Sequence, residues 1–206
     1  MNVKCIALGE LGANCYLLQT DKAAVVIDPG AYSDEVGQFL EQNRDKQRAI
    51  LLTHGHFDHI GGAAALREST DTPIIIGEAD AAALEDGYLN LSASFGIPME
   101  PFCADRTVSD GEILRIGDIE FTVFVCAGHT VGSVCYHTED MLFCGDVLFY
   151  GSVGRTDFPG GDTMALMRSI ARLMKLDGNT RVLSGHGDET TLLYEKNNNP
   201  FIRGRI

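Results

Sequence analysis

Thr53-His54-Gly55-His56-Phe57-Asp58-His59-Ile60-Gly61-Gly62 is the stretch on which the reading of this chain turns. It holds three of the chain's six histidines and an aspartate, directly after an apolar run at 49–52. Side chains two apart in extended backbone point to the same side. His54 and His56 are therefore expected to face one point. Asp58 and His59 follow at a turn and can face a second. Imidazoles with a carboxylate suit zinc, iron or manganese, and the loop has donors for two ions rather than one.

Outward from this loop the chain alternates between short apolar runs and helical spacing. Runs at 3–8, 15–20 and 23–28 read as strands, stopped by Asp28-Pro29-Gly30. A helix is expected over 33–42, with Ser33 as N-cap and Val36, Phe39 and Leu40 on one face. Strands are expected at 49–52 and 73–76, with a short Ala-rich helix over 61–68. The stretch 78–110 is the least legible: helical signals at 79–85, loop over 87–101. Strands return at 113–116, 119–125, 133–137 and 141–144. Over 162–175, Met164, Leu166, Met167, Ile170, Leu173 and Met174 keep helical spacing, and 181–184 reads as a last strand. The order describes two similar halves of an α/β (α+β) protein, sheets inside and helices outside. With 206 residues the chain reads as a single domain over 1–206, ending in a short tail from about 190.

The remaining histidines extend the pattern. Ala127-Gly128-His129-Thr130, Phe143-Cys144-Gly145-Asp146 and Leu183-Ser184-Gly185-His186-Gly187 each put a ligand-type side chain beside glycine at the exit of a β run. Glycine there lets backbone approach closely. His137 lies within a strand-like run and reads as structural.

Charge and composition remove several classes of function. Sixteen basic against 29 acidic residues leave a net charge of −13, unsuited to neutralising nucleic-acid phosphates or an anionic membrane surface. No run of 18 apolar residues is present to span a membrane. The N-terminal stretch starts like a strand and lacks a signal-peptide pattern. Cysteines at 5, 15, 103, 126, 135 and 144 show no CxxC spacing, as expected of reduced, mostly buried thiols in a cytoplasmic protein. No Gly-x-Ser-x-Gly elbow or obvious Cys–His pair points to a covalent nucleophile.

His-Gly-His-Phe-Asp-His at 54–59, followed in order by Ala-Gly-His-Thr, Cys-Gly-Asp and Ser-Gly-His-Gly, resembles the metallo-β-lactamase fold superfamily over nearly the whole chain. The resemblance implies a four-layer αβ/βα sandwich with a metal site at one edge of the sheets. It implies that His54, His56 and His129 hold one metal, that Asp58, His59 and His186 hold a second, and that Asp146 bridges both. Asp28 resembles the superfamily's first motif, a loop-fixing residue rather than a ligand.

Within that superfamily, 149–162, Phe-Tyr-Gly-Ser-Val-Gly-Arg-Thr-Asp-Phe-Pro-Gly-Gly-Asp, resembles short glyoxalase II-like hydroxyacylglutathione hydrolases and their persulfide-dioxygenase cousins. By that resemblance Arg155 meets a substrate carboxylate, a pairing with a physical basis in guanidinium geometry. The longer glyoxalase II enzymes carry a C-terminal helical domain with further basic contacts, whereas about twenty residues follow His186 here. The function implied is hydrolysis of a thioester such as an S-2-hydroxyacylglutathione, by a metal-bound hydroxide that Asp58 orients. The expected cofactors are two divalent ions, zinc first, with iron or manganese possible, and the expected partner is a small-molecule thioester. The alternative is a mononuclear iron persulfide dioxygenase using His54, His129 and Asp146, an open two-His-one-carboxylate set. A nuclease is opposed by the charge. A secreted β-lactamase is opposed by the N-terminus and by Asp146, where the best-known lactamases carry cysteine.

Overall fold

The computed structural model describes residues 1–204. In the first sheet β1 (Asn2–Leu8), β2 (Ala13–Gln19) and β3 (Ala23–Ile27) form an antiparallel meander. The sheet continues in parallel through β4 (Gln47–Leu51), β5 (Ile74–Gly77) and β6 (Arg106–Val108), in the order β1-β2-β3-β4-β5-β6. The second sheet holds β7 (Ile113–Ile116), β8 (Ile119–Val125), β9 (Val134–Thr138) and β10 (Met141–Gly145). A small hairpin, β11 (Leu148–Phe149) and β12 (Ser152–Val153), precedes the sheet's last two strands, β13 (Arg181–Ser184) and β14 (Thr190–Thr191). The sheet order is β14-β13-β10-β9-β8-β7, with β10 and β13 parallel.

Alternation along the strands builds three apolar layers. In β2 and β3, Leu18, Val25 and Ile27 face the second sheet, while Leu17 and Val26 face the opposite way. Between the sheets they meet Phe121 and Val123 of β8, Tyr136 of β9 and Phe143 of β10. The outer face of the first sheet packs on α1 (Asp34–Gln42) and α3 (Ala63–Thr70) through Val36, Leu40, Ala63 and Leu66. The outer face of the second packs on α5 (Thr163–Leu173) through Leu166, Ile170 and Leu173. Each Val, Leu, Ile or Phe among these contributes roughly 1.5–3 kcal/mol on burial. The result is the four-layer αβ/βα sandwich. Asp162 caps α5 by accepting a hydrogen bond from the Ala165 N–H at 2.8 Å. Ser33 stands before α1 with extended backbone, but its hydroxyl makes no capping bond.

Four short elements in the middle stretch and the tail depart from the sequence reading. The stretch expected to be loop over 87–101 contains one helical turn, α4 (Ser92–Phe95). Strand β6 completes the first sheet, and its three residues are too few to show a period. The tail from about 190 carries β14 and α6 (Leu192–Asn198). Leu192 and Ile202 of that tail join the core under the second sheet. No helix among the described residues is long and apolar enough to cross a membrane.

Candidate metal centre

Strand ends deliver the donors. β3 runs out into Asp28, β4 into Thr53 to His56, β8 into the loop of His129, β10 into Asp146 and β13 into His186. All five exits lie at one edge of the sandwich, where the carboxyl ends of the parallel strands meet. Where a turn was expected at Asp58 and His59, the chain makes one turn of helix, α2 (Phe57–Ile60). That turn brings both side chains to His186, with Asp58 Oδ2 3.2 Å from its Nε2 and the His59 ring centroid 5.3 Å from its own, while the His59 ring stays packed on His54 at 4.2 Å.

Two triads result. His54, His56 and His129, all buried, each place one ring nitrogen within 4.8 Å of the others. Asp58, His59 and His186 do the same with a carboxylate oxygen and two ring nitrogens. Asp146 lies between them: Oδ1 is 3.3 Å from His59 Nε2, and Oδ2 is 3.6 Å from His129 Nε2 and 3.8 Å from His186 Nε2. The 2.9 Å between His56 Nδ1 and His129 Nε2 is shorter than the roughly 3.3–3.4 Å edge of a tetrahedron with metal–nitrogen bonds of roughly 2.0–2.1 Å. All seven donors marked in the sequence are thus brought into one cluster. A third grouping, Asp28 with His54 and His59, is a network of hydrogen bonds on the far side of those rings.

That network sets the tautomers. Asp28 is acceptor-only when ionised; its Oδ1 accepts the Thr53 N–H at 2.7 Å, and its Oδ2 accepts the Thr53 hydroxyl at 2.6 Å and His59 Nδ1–H at 2.9 Å. With its proton given to Asp28, the Thr53 oxygen accepts from His54 Nδ1–H at 3.1 Å. His129 Nδ1–H donates to the Arg155 carbonyl at 2.8 Å. In all three rings the proton is drawn to Nδ1, and the Nε2 lone pair faces the cluster. The side chain of Asp28 works from behind the ligands, and its backbone, at φ +52°, bends the chain there.

The donor set fits divalent metals by a second criterion. Buried polar atoms in proteins almost always have partners. His54 Nε2, His56 Nε2, His59 Nε2 and Asp146 Oδ1 are buried with none, and all four belong to this cluster. Burial first, then the neighbouring imidazoles, hold His54 well below the usual imidazole range. Burial, followed by His129, lowers His56 to about 3. Both rings therefore take the neutral form that ligates metal. Burial opposes ionisation of Asp146, but the imidazoles around it, His59 first, outweigh burial when protonated and keep the carboxyl below its ordinary range. Burial likewise opposes Asp58, and the hydrogen bond with His186, at 3.2 Å, reverses the sign.

Groups not marked in the sequence hold the loops. Buried Asp80 accepts from Gly55 N–H at 3.0 Å, between His54 and His56, and from the Thr130 hydroxyl at 2.7 Å and Gly132 N–H at 2.7 Å, beside His129. It couples the two loops of the first triad. Tyr16 and Tyr136 donate across the sandwich to the carbonyls of Ser184 at 2.6 Å and Leu52 at 3.0 Å. Gly185 is required by space: a Cβ there would sit 2.3 Å from Asp146 Oδ1 and 2.6 Å from His59 Cε1. These roles rest on main-chain groups and on contacts distant in sequence, so no local motif announces them.

The cleft over the cluster is lined by Leu11, Phe57, Leu91, Phe95, Arg155 and Phe158 around the histidines and carboxylates. The Arg155 guanidinium is exposed, makes two 2.7 Å hydrogen bonds to Asp157, and lies 3.9 Å above the Phe158 ring. His137 sits in β9 against Phe124, away from the cluster. All six cysteines are free thiols, four of them buried.

A family model of the metallo-beta-lactamase superfamily matches residues 8–186. The chain belongs to that superfamily. Its members bind divalent metals, in keeping with the His/Asp cluster here. The chain is 35% identical over 211 residues, spanning all of both chains, to hydroxyacylglutathione hydrolase GloC of Haemophilus influenzae. Among solved structures of superfamily proteins it is similar to BLEG-1, a B3 metallo-beta-lactamase, with a TM-score of 0.92 and 40% identity over 98% of this chain and 100% of that one. It is also similar to TTHA1623, solved in a di-iron-bound form, with a TM-score of 0.83 and 39% identity over 96% of this chain and 99% of that one.

Proposed function

We propose that this chain is a dinuclear metal-dependent hydrolase of thioesters, S-2-hydroxyacylglutathione being one example. The carrying observation is two adjacent donor triads with Asp146 between them and four buried, unpartnered polar atoms on those residues. The likeness to GloC supports the thioester as substrate class. In this reading His54, His56 and His129 hold one ion, Asp58, His59 and His186 the other, and Asp146 both. Zinc is the metal proposed; the di-iron form of TTHA1623 makes iron the first alternative, with manganese behind it.

Ions bound there would supply an acidified water and positive charge for a developing oxyanion. The chain's own groups do the rest. Asp58, kept ionised by His186, accepts a hydrogen bond from the attacking water and orients it. Asp28, Thr53 and the Arg155 carbonyl keep the ring protons on the far side of the cluster, so the lone pairs stay aimed. A thiolate is a good leaving group, so no strong general acid is needed. The Arg155–Asp157 pair is solvent-exposed, and such pairs contribute little. A substrate carboxylate can therefore displace Asp157 from the guanidinium. The partner proposed is a small molecule in the cytoplasm, with no role for nucleic acid or membrane.

The test is elemental analysis of protein purified without added metal, paired with one assay plate. The plate compares hydrolysis of S-D-lactoylglutathione, oxygen uptake on glutathione persulfide, and opening of a β-lactam. About two metals per chain with thioester cleavage is the expected result. One iron per chain with oxygen uptake would replace the reading by a persulfide dioxygenase. β-Lactam opening without thioester cleavage would replace it by a lactamase.

A further inference from the structure

A second cavity of about 280 Å³ lies beside the metal cleft, on the flank away from Arg155. Its walls include Leu11, Tyr32, Phe57, Ile97, Pro98 and Met99. It shares Leu11, Phe57 and Asp58 with the cleft over the cluster, so the two form one continuous depression. Phe95 packs on Phe57 with ring centroids 5.1 Å apart and extends the apolar wall. Leu11 and Tyr32 are half exposed, at 49% and 50%, and leave apolar area facing water at the mouth of the site. The ionisable residues in the lining besides Tyr32 are Glu10 and Asp58, both acidic. No cation lines it, so nothing there would pair an anionic group. The volume falls just under the roughly 300–1,000 Å³ typical of small-molecule sites.

We propose that this groove is the acyl pocket, and that it takes an apolar acyl chain of about four to eight carbons. The proposal rests on the thioester reading above and adds the substrate class. The scissile carbonyl sits over the cluster. The thiol portion leaves along the Arg155–Phe158 flank, and the acyl portion runs past Phe57 toward Met99. A small hydroxyacyl group would leave Leu11, Ile97 and Met99 bare to water. A chain of several methylenes would cover them.

The test varies the acyl group alone, using N-acetylcysteamine thioesters of acetate, D-lactate, butyrate and hexanoate with the metal-loaded full chain. Complete burial of a methylene gives about fourfold in kcat/KM. For this open groove about twofold per methylene is expected, so hexanoyl should exceed acetyl by more than tenfold and lactoyl by at least about eightfold. Leu11→Asp, at an exposed turn, should pull the hexanoyl-to-acetyl ratio back toward one. Met99→Asp, at the far end of the groove, should do the same and serves as the second variant. Acetyl or lactoyl thioesters cleaved as fast as hexanoyl would overturn the acyl pocket and leave the thioester hydrolase standing. If no thioester, S-D-lactoylglutathione included, is cleaved by protein holding two metals, the thioester reading falls and the pocket falls with it.

Discussion

The two donor triads share one edge of the sandwich but differ in how they are built. The first, His54, His56 and His129, is buried throughout. It lies on two loops tied together by the carboxylate of Asp80. The second, Asp58, His59 and His186, rests on a single helical turn and on a loop that closes 128 residues later. Its His186 side chain is 30% exposed. Enclosure by neutral imidazoles favours a tightly kept ion. A carboxylate and an exposed histidine favour an ion that meets solvent and substrate. We expect the first site to hold metal more tightly and the second to exchange it faster.

Asp146 stands outside that contrast, because both triads need it. Asp146→Ala should remove turnover by about a thousandfold or more and bring metal content below one per chain. Mass-spectrometric metal analysis beside a thioester assay checks it. Near-native turnover in the variant would dissolve the dinuclear assignment.

His186→Ala tests the second triad alone. Metal content should fall from about two per chain toward one, with turnover down by about a hundredfold. A variant that still carried two ions would place His186 outside the ligand set. Asp80→Asn tests the first triad from behind. Two parts of the carboxylate's work cannot both survive: an amide that keeps its oxygen on Gly132 N–H turns its NH₂ toward Gly55 N–H. An orphaned buried donor costs about 1–3 kcal/mol, which appears as a lower Tm. Site-one affinity should drop by about 10- to 100-fold, measured by competition with a chelator, with site-two affinity changed less. Equal weakening at both sites would make Asp80 a general fold residue rather than a positioning one.

The contrast also marks what was legible beforehand. His54 and His56 could be placed together from extended alternation, and their rings do pack, with centroids 4.7 Å apart. The strands were legible as short apolar runs bounded by turn residues, and the helix α5 because its apolar residues keep helical spacing over more than three turns. α2 was read as a turn because four residues cannot display a period. Asp80 left no trace for a different reason. Two of its three partners are the backbone of Gly55 and Gly132, 25 and 52 positions away, and backbone donors carry no residue identity; the third, the Thr130 hydroxyl, is 50 positions away. The same holds for the Arg155 carbonyl that orients His129. The proposed acyl groove is likewise assembled from four separate segments, of which only 57–61 lies in the His/Asp motif.

Arg155 carries the smallest predicted effect, and its two parts explain why. The main-chain carbonyl holds His129 Nδ1–H at 2.8 Å, and any side chain preserves that bond. The guanidinium is exposed, paired with Asp157 and laid over Phe158. Arg155→Ala should therefore leave metal content, Tm and kcat close to native. KM should rise several-fold for a substrate whose thiol portion bears a carboxylate, and stay level for a neutral N-acetylcysteamine thioester. That split separates a guanidinium that binds substrate from one that only braces Asp157. An unchanged KM for lactoylglutathione would assign it to the brace. A fall in metal content would mean that removing the side chain has moved the carbonyl away from His129, and that the first triad is less rigid than its burial implies.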